Sequence, residues 1–136
     1  IQEKNPFLQD AAWLVYGTLD FDVMNEASAY LLNVSDFTSF AKVHSDVKTH
    51  ICDVRNAHWD FKDGVWVFTI EANRFLRNMV RAIVGTLVEL GKGKITLRQF
   101  KDIVAKLDRG AAGVSAPAKG LYLTEVDYLE RDLNGV

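Results

Sequence analysis

The sequence predicts an α+β domain, an antiparallel sheet with helices packed on one face. Three observations carry that expectation. Two stretches rich in β-branched and aromatic residues meet at a short turn signal, "KDG" at 62–64. Two segments with apolar residues at helical spacing follow them directly. A shorter helical segment precedes the strands. No repeat, low-complexity tract or Pro/Gly/Ser-rich linker divides the 136 residues, so a single domain over 1–136 is expected.

Taken in order, the first helix is predicted over Asp22 to Leu32. Asp20 or Asp22 caps it, and Val23, Ala27, Tyr30 and Leu31 form its apolar stripe. "NVSDFTSF" reads as a loop rich in turn formers. A strand from Lys48 to Phe61 follows, with a bulge where Ile51, Cys52 and Val54 change face. Gly64 supplies the positive φ a hairpin turn demands, and Val65 to Glu71 returns with Trp66, Phe68 and Ile70 on one face. "RFLRNMVRAIVGTLVELGKG", Arg74 to Gly93, reads as one helix. At 100° per residue, Leu76, Met79, Val80, Ile83, Leu87 and Leu90 cluster within about a third of its circumference, and Gly91 is placed for a left-handed cap. The next helix runs from Leu97 to Leu107, buried through Leu97, Phe100, Ile103, Val104 and Leu107, with Thr96 and Gln99 as a capping box. "RGAAGVSAPAKG" is a loop and "LYLTEVDYL" a closing strand; "AAWLVYG" near the start is a further strand candidate.

Hydrophobic residues make up 49% and charged residues 25%, the balance of a globular domain. No apolar run approaches the ~18 residues of a membrane helix. The opening "IQEKNPFLQD" has neither the basic nor the apolar region of a secretory leader, so no membrane association is expected. Cys52 stands alone, which excludes an internal disulfide and a cysteine zinc site and points to a cytoplasmic protein. The first residue is not methionine, in keeping with a piece of a longer protein.

Charge is unevenly spread. Residues 1–73 hold 5 bases and 11 acids, whereas residues 74–110 hold 9 bases and 3 acids, a local net of +6 inside a chain of net −2. Such a block can bind a polyanion, because phosphate responds to the local field; the plainer reading is a solvated surface facing acidic neighbours. On the predicted helix Arg74, Arg77, Arg81 and Gly85 fall within about 80° of one another, with Asn78 beside them and only Glu89 as a counter-charge. Arginine grips phosphate or carboxylate through two parallel hydrogen bonds. Gly85 costs about 1 kcal/mol relative to alanine inside a helix, and it fits either helix packing or a close approach by another backbone.

Four stretches together carry a resemblance: "DFTSF" at 36–40, "ANRFLRNMVRAIVGTL" at 72–87, "DRGAAGVSAPAKGLYLTEVDY" at 108–128, and the "LD…M" entry to the first helix. In order and spacing they resemble the C-terminal part of the tRNA pseudouridine synthase A family, from about Leu19 to Tyr128. The resemblance implies an isomerase that converts uridine to pseudouridine at positions 38 to 40 of the tRNA anticodon stem-loop. It implies a homodimer that works without metal or organic cofactor. An aspartate attacks the nucleotide, and the base, flipped from the stack, detaches, rotates and rejoins through carbon. By the same resemblance Arg81 partners the catalytic aspartate, Arg74, Arg77 and Asn78 meet the tRNA, and Leu121 or Leu123 of "GLYL" walls the target base. Core packing explains those leucines equally well. Lys119 is an RNA contact or a solvated lysine.

The family's aspartate lies in an "R-T-D-x-G-V-H"-like motif, and no aspartate here fits it; Asp108, followed by Arg109 and Gly110, does not. The chain is therefore expected to be a C-terminal part that carries the arginine without its aspartate and does not catalyse alone. Other constellations are weaker. The spacings of His44, His50 and His58 match no common metal-ligand pattern, so no metal site is expected. Ser39 lacks a nucleophile elbow and Ser115 a catalytic context. Trp13, Trp59 and Trp66 suit core or sheet-face packing better than base stacking. Against the synthase stand two alternatives, a non-catalytic RNA-binding module and a dimerisation domain.

Overall fold

A computed structural model of the chain describes residues 18–43 and 47–117. The order of elements is α1 (Phe21–Tyr30), β1 (Val54–Lys62), β2 (Val65–Ala72), α2 (Met79–Gly91) and α3 (Leu97–Lys106), with short 3-10 turns at Leu31–Asn33, Thr38–Phe40 and Arg109–Ala111. This is the expected α+β arrangement. The strands suggested by "AAWLVYG" and "LYLTEVDYL" lie outside the described residues. No helix among the described residues is long and apolar enough to cross a membrane.

Asp20 caps α1, its carboxylate accepting from the backbone N–H of Asp22 and Val23 at 3.1 and 3.2 Å. The strands form an antiparallel hairpin with Lys62 opposite Val65 and a register shift between Val54 and Asn56. The shift lies slightly C-terminal to the predicted bulge. Asp63 and Gly64, at φ 51° and 83°, make the two-residue turn whose double positive φ matches the strand twist. The first strand is shorter than predicted. Before Val54 the chain leaves the hairpin and Ile51 bridges Asp36 instead, Phe37 N–H donating to His50 O and Cys52 N–H to Ser35 O, each at 2.9 Å.

Helix α1 lies on the hairpin, and α2 and α3 pack against α1. Met24, Ala27 and Leu31 of α1 share one core with Ala57 and Trp59 of β1, Met79, Ile83 and Leu87 of α2, and Phe100 and Val104 of α3. Asn25 covers β1 at Trp59, on the edge that β2 does not occupy. Its side-chain amide accepts from Trp59 N–H at 2.7 Å and donates to Trp59 O at 3.2 Å, as a neighbouring strand would. The tryptophans pack as the sheet-face reading expects: Trp66 stacks on Phe21 at 3.8 Å between ring centres, and Trp59 meets Phe21 edge-on at 5.6 Å. Trp13 lies outside the described residues.

Three local expectations are corrected. The helix does not begin at Arg74 but at Met79, because Asn78 takes the left-handed conformation (φ 67°) that asparagine tolerates. The left-handed glycine after α2 is Gly93 (φ 82°), while Gly91 completes the helix and packs on Met24. Leu107 is 46% exposed, and as the left-handed C-cap of α3 it turns away from the core.

The capping box at the start of α3 is present in both halves, with Gln99 N–H donating to Thr96 Oγ at 3.1 Å and Thr96 N–H to Gln99 Oε at 2.8 Å. Thr96→Ala should lower stability by about 1 kcal/mol in urea denaturation. Burial pushes the Cys52 thiol above its ordinary 9.0, the nearby Arg74 charge pulls it down and Asp36 pushes it up, burial prevailing. The fold therefore favours the neutral thiol. Its contribution to stability is full below pH 9.0 and is lost as pH rises through the higher folded value. Cys52 should resist iodoacetamide in the native protein and react once urea opens the core, as read by mass spectrometry.

Candidate functional site

The site is built where the segment from Asp108 to Pro117 folds back over the first turns of α2. The two run side by side through three contacts. Gly113 N–H donates to Thr86 Oγ at 3.0 Å. Val114 then crosses Gly85 so closely that a Cβ there would stand 1.7 Å from Val114 O. Finally Ala116 N–H donates to Arg81 O at 2.9 Å, and Arg81 Nε donates to Ala116 O at 2.8 Å. Of the two roles open to Gly85, the structure thus selects the close backbone approach.

Arg81 is half-buried under this clasp. Its Nε is used by Ala116, and among the described residues no carboxylate pairs with its guanidinium. Asn78, held in its left-handed turn, points its amide away from the helix end and donates to Ser115 Oγ at 2.9 Å. Arg109, which sequence reasoning did not single out, donates to Gly113 O at 3.2 Å and to the same Ser115 Oγ at 2.9 Å. The only signal for it was its place in "DRGAAGVSAP"; its contacts follow the irregular path of its own loop, which no periodicity reveals.

The structure brings Arg81, Asn78 and Ser115 together and separates the other two arginines from the helix. Arg74 and Arg77 lie in the irregular segment before Asn78, so the three do not share a helix face. Arg74 Nη donates to Ile51 O at 3.2 Å and more weakly to Thr49 O at 3.5 Å, which holds it over the stretch leading into β1. Arg77 anchors through its backbone, Lys42 N–H donating to Arg77 O at 3.1 Å, and its exposed side chain has no partner among the described residues. Lys119, Leu121 and Leu123 lie outside the described residues.

The "DFTSF" turn serves structure. Ser39 is buried and its hydroxyl donates to Ile103 O at 2.7 Å while accepting from Asp108 N–H at 3.0 Å, so it ties the end of α3 to the start of the Asp108–Pro117 segment. Thr38 Oγ donates to Asp36 at 2.6 Å and meets His50 Nδ1 at 2.9 Å. His58 lies between Asn56 Oδ1 at 3.0 Å and Asp60 Oδ2 at 2.8 Å. Among the described residues no group of three His, Cys, Asp or Glu side chains is placed to hold a metal ion.

Residues 27–129 match the family model for tRNA pseudouridine synthase, and the chain belongs to that family. It is 52% identical over 130 residues to the tRNA pseudouridine synthase A of Bacteroides thetaiotaomicron, covering 93% of this chain and 48% of the relative. It is 48% identical to that of Parabacteroides distasonis (94% and 51% covered) and 42% identical to that of Bacillus pumilus (92% and 51% covered). The chain spans about half the length of the curated relatives it matches.

Gly85→Ala should cost about 1–3 kcal/mol, because the atom its methyl meets is backbone and the whole clasp must shift. Gly91→Ala, whose nearest neighbour is the flexible end of Met24, should cost under about 1 kcal/mol; urea denaturation of the two variants measures the difference.

Proposed function

We propose that this chain is the C-terminal part of a tRNA pseudouridine synthase that isomerises uridine at positions 38 to 40 of the anticodon stem-loop. The supporting observation is Arg81: a half-buried guanidinium, fixed through Nε by Ala116, with its remaining nitrogens facing no carboxylate among the described residues. An aspartate from the N-terminal half of the parent protein completes the site by pairing with Arg81. A guanidinium that close keeps a carboxylate ionised and oriented, as a nucleophile must be. In the reaction the bond from C1′ to N1 of the base breaks and a bond from C1′ to C5 forms; the C5 hydrogen leaves as a proton and N1 takes one up, so substrate and product are isomers. No redox partner or organic cofactor enters this balance.

Arg77, exposed on its loop, meets tRNA phosphates, and Arg74 and Asn78 line the path toward them. Lys119 and the leucines Leu121 and Leu123 complete the binding surface, one leucine against the target base. The parent works as a homodimer in the cytoplasm.

Arg81→Ala in the parent protein should reduce tritium release from 5-tritiated uridine tRNA by about 10²–10³-fold while leaving tRNA affinity within about threefold. This chain alone should release none. A harmless substitution, or one that weakens binding as much as turnover, would reduce the arginine to a binding contact and favour a non-catalytic RNA-binding module.

A further inference from the structure

We infer that the Ser115 hydroxyl donates a hydrogen bond to a phosphodiester oxygen of the RNA substrate, with Arg109 and Asn78 holding it in place beside Arg81. The inference rests on the RNA-modifying reading above and adds a residue to it.

A serine hydroxyl has two lone pairs and one hydrogen. Asn78 Nδ2 and Arg109 Nη2 both donate to Ser115 Oγ, each at 2.9 Å, and a guanidinium can do nothing but donate. Both lone pairs are thereby occupied. The hydrogen remains, and it has no acceptor among the described residues. Ser115 is half-buried, neither sealed in the core nor fully exposed.

The surroundings select an anion as its acceptor. Arg109 spends its hydrogen bonds on neutral oxygens, Gly113 O and Ser115 Oγ, and forms no ion pair among the described residues, with the Glu89 carboxylate standing beside Gly113. A hydroxyl that accepts from a cation is polarised and becomes a stronger donor. Ala116, the next residue, carries the Arg81 guanidinium on its carbonyl. Two guanidinium charges and one directed O–H thus flank a single loop. Arg81 and Arg109 belong to the stretch 74–110, of net +6, that leads into this loop, and an RNA phosphate is the ligand their field attracts.

The test measures equilibrium binding of a tRNA anticodon stem-loop to the parent protein, and to Ser115→Ala, Ser115→Cys and Ser115→Thr. Ser115→Ala and Ser115→Cys should each weaken binding about tenfold, and Ser115→Thr, which keeps the donor, should restore it to within about threefold. The stem-loop is then made with one methylphosphonate at a time in place of a phosphodiester. The wild type should lose about tenfold at one linkage, and Ser115→Cys should be indifferent to the change at that same linkage. Unchanged affinity in both Ser115→Ala and Ser115→Cys would overturn the inference. So would losses that add fully at every linkage. A loss of turnover with binding intact would also overturn it. Failure of the wild-type parent to release tritium strikes the synthase reading alone, since the phosphate contact is read by binding.

Discussion

The structure depends on a backbone approach that only glycine permits. Val114 lies against Gly85 at a distance no Cβ would allow, and this lets the Asp108–Pro117 segment lie flat along α2. The flat path brings Ala116 to Arg81, where a reciprocal pair of hydrogen bonds fixes the arginine's Nε and its carbonyl together. A long side chain with about 2 kcal/mol of rotamer entropy is thereby ordered before any ligand arrives. The cost of a helical glycine, about 1 kcal/mol, is modest beside a preorganised guanidinium.

Positioning of that clasp is distributed over the fold. Ser39, in a turn nearly seventy residues earlier, joins Ile103 O to Asp108 N–H and so sets where the segment leaves α3. Thr86, buried in α2, donates to Ala82 O and accepts from Gly113 N–H, and registers the segment on the helix. Asn78 ends the irregular stretch before α2 and turns its amide to Ser115. Each is a small polar side chain that satisfies a backbone or loop group in or near the core, where an unmade hydrogen bond would cost about 1–3 kcal/mol. The apolar core supplies a rigid floor, and these few polar pins decide what stands on it.

The family membership and the geometry bear on different questions. Membership says which kind of protein this chain is part of, and the coverage of about half of each relative says that the rest of the active site need not come from these residues. The geometry says what these residues offer: donors in excess of acceptors. Arg77, Arg81 and Arg109 form no ion pair among the described residues, and Ser115 is left with a hydrogen to give. A site so one-sided is suited to receive negative charge.

Much was legible in the sequence because it is written in local patterns. The hairpin at Asp63–Gly64, the Thr96–Gln99 capping box and the apolar stripe of α2 each depend on neighbours within a few residues, and each is found as expected. What failed was also local. Helical periodicity extended α2 back to Arg74, because Leu76 is buried at a position the helix wheel allows. Nothing in the periodicity reveals that Asn78 turns left-handed, or that Arg74 is drawn instead to the carbonyls before β1. The role of Gly85 and the entry of Arg109 were decided only by tertiary structure. Gly85 depends on a segment some thirty residues away in sequence folding back on α2, and Arg109 on the irregular path of that segment, which sets it on Gly113 and Ser115; neither leaves a period in the chain. The sequence by itself determined the elements, the core and the charge; the return of one loop determined which charges meet.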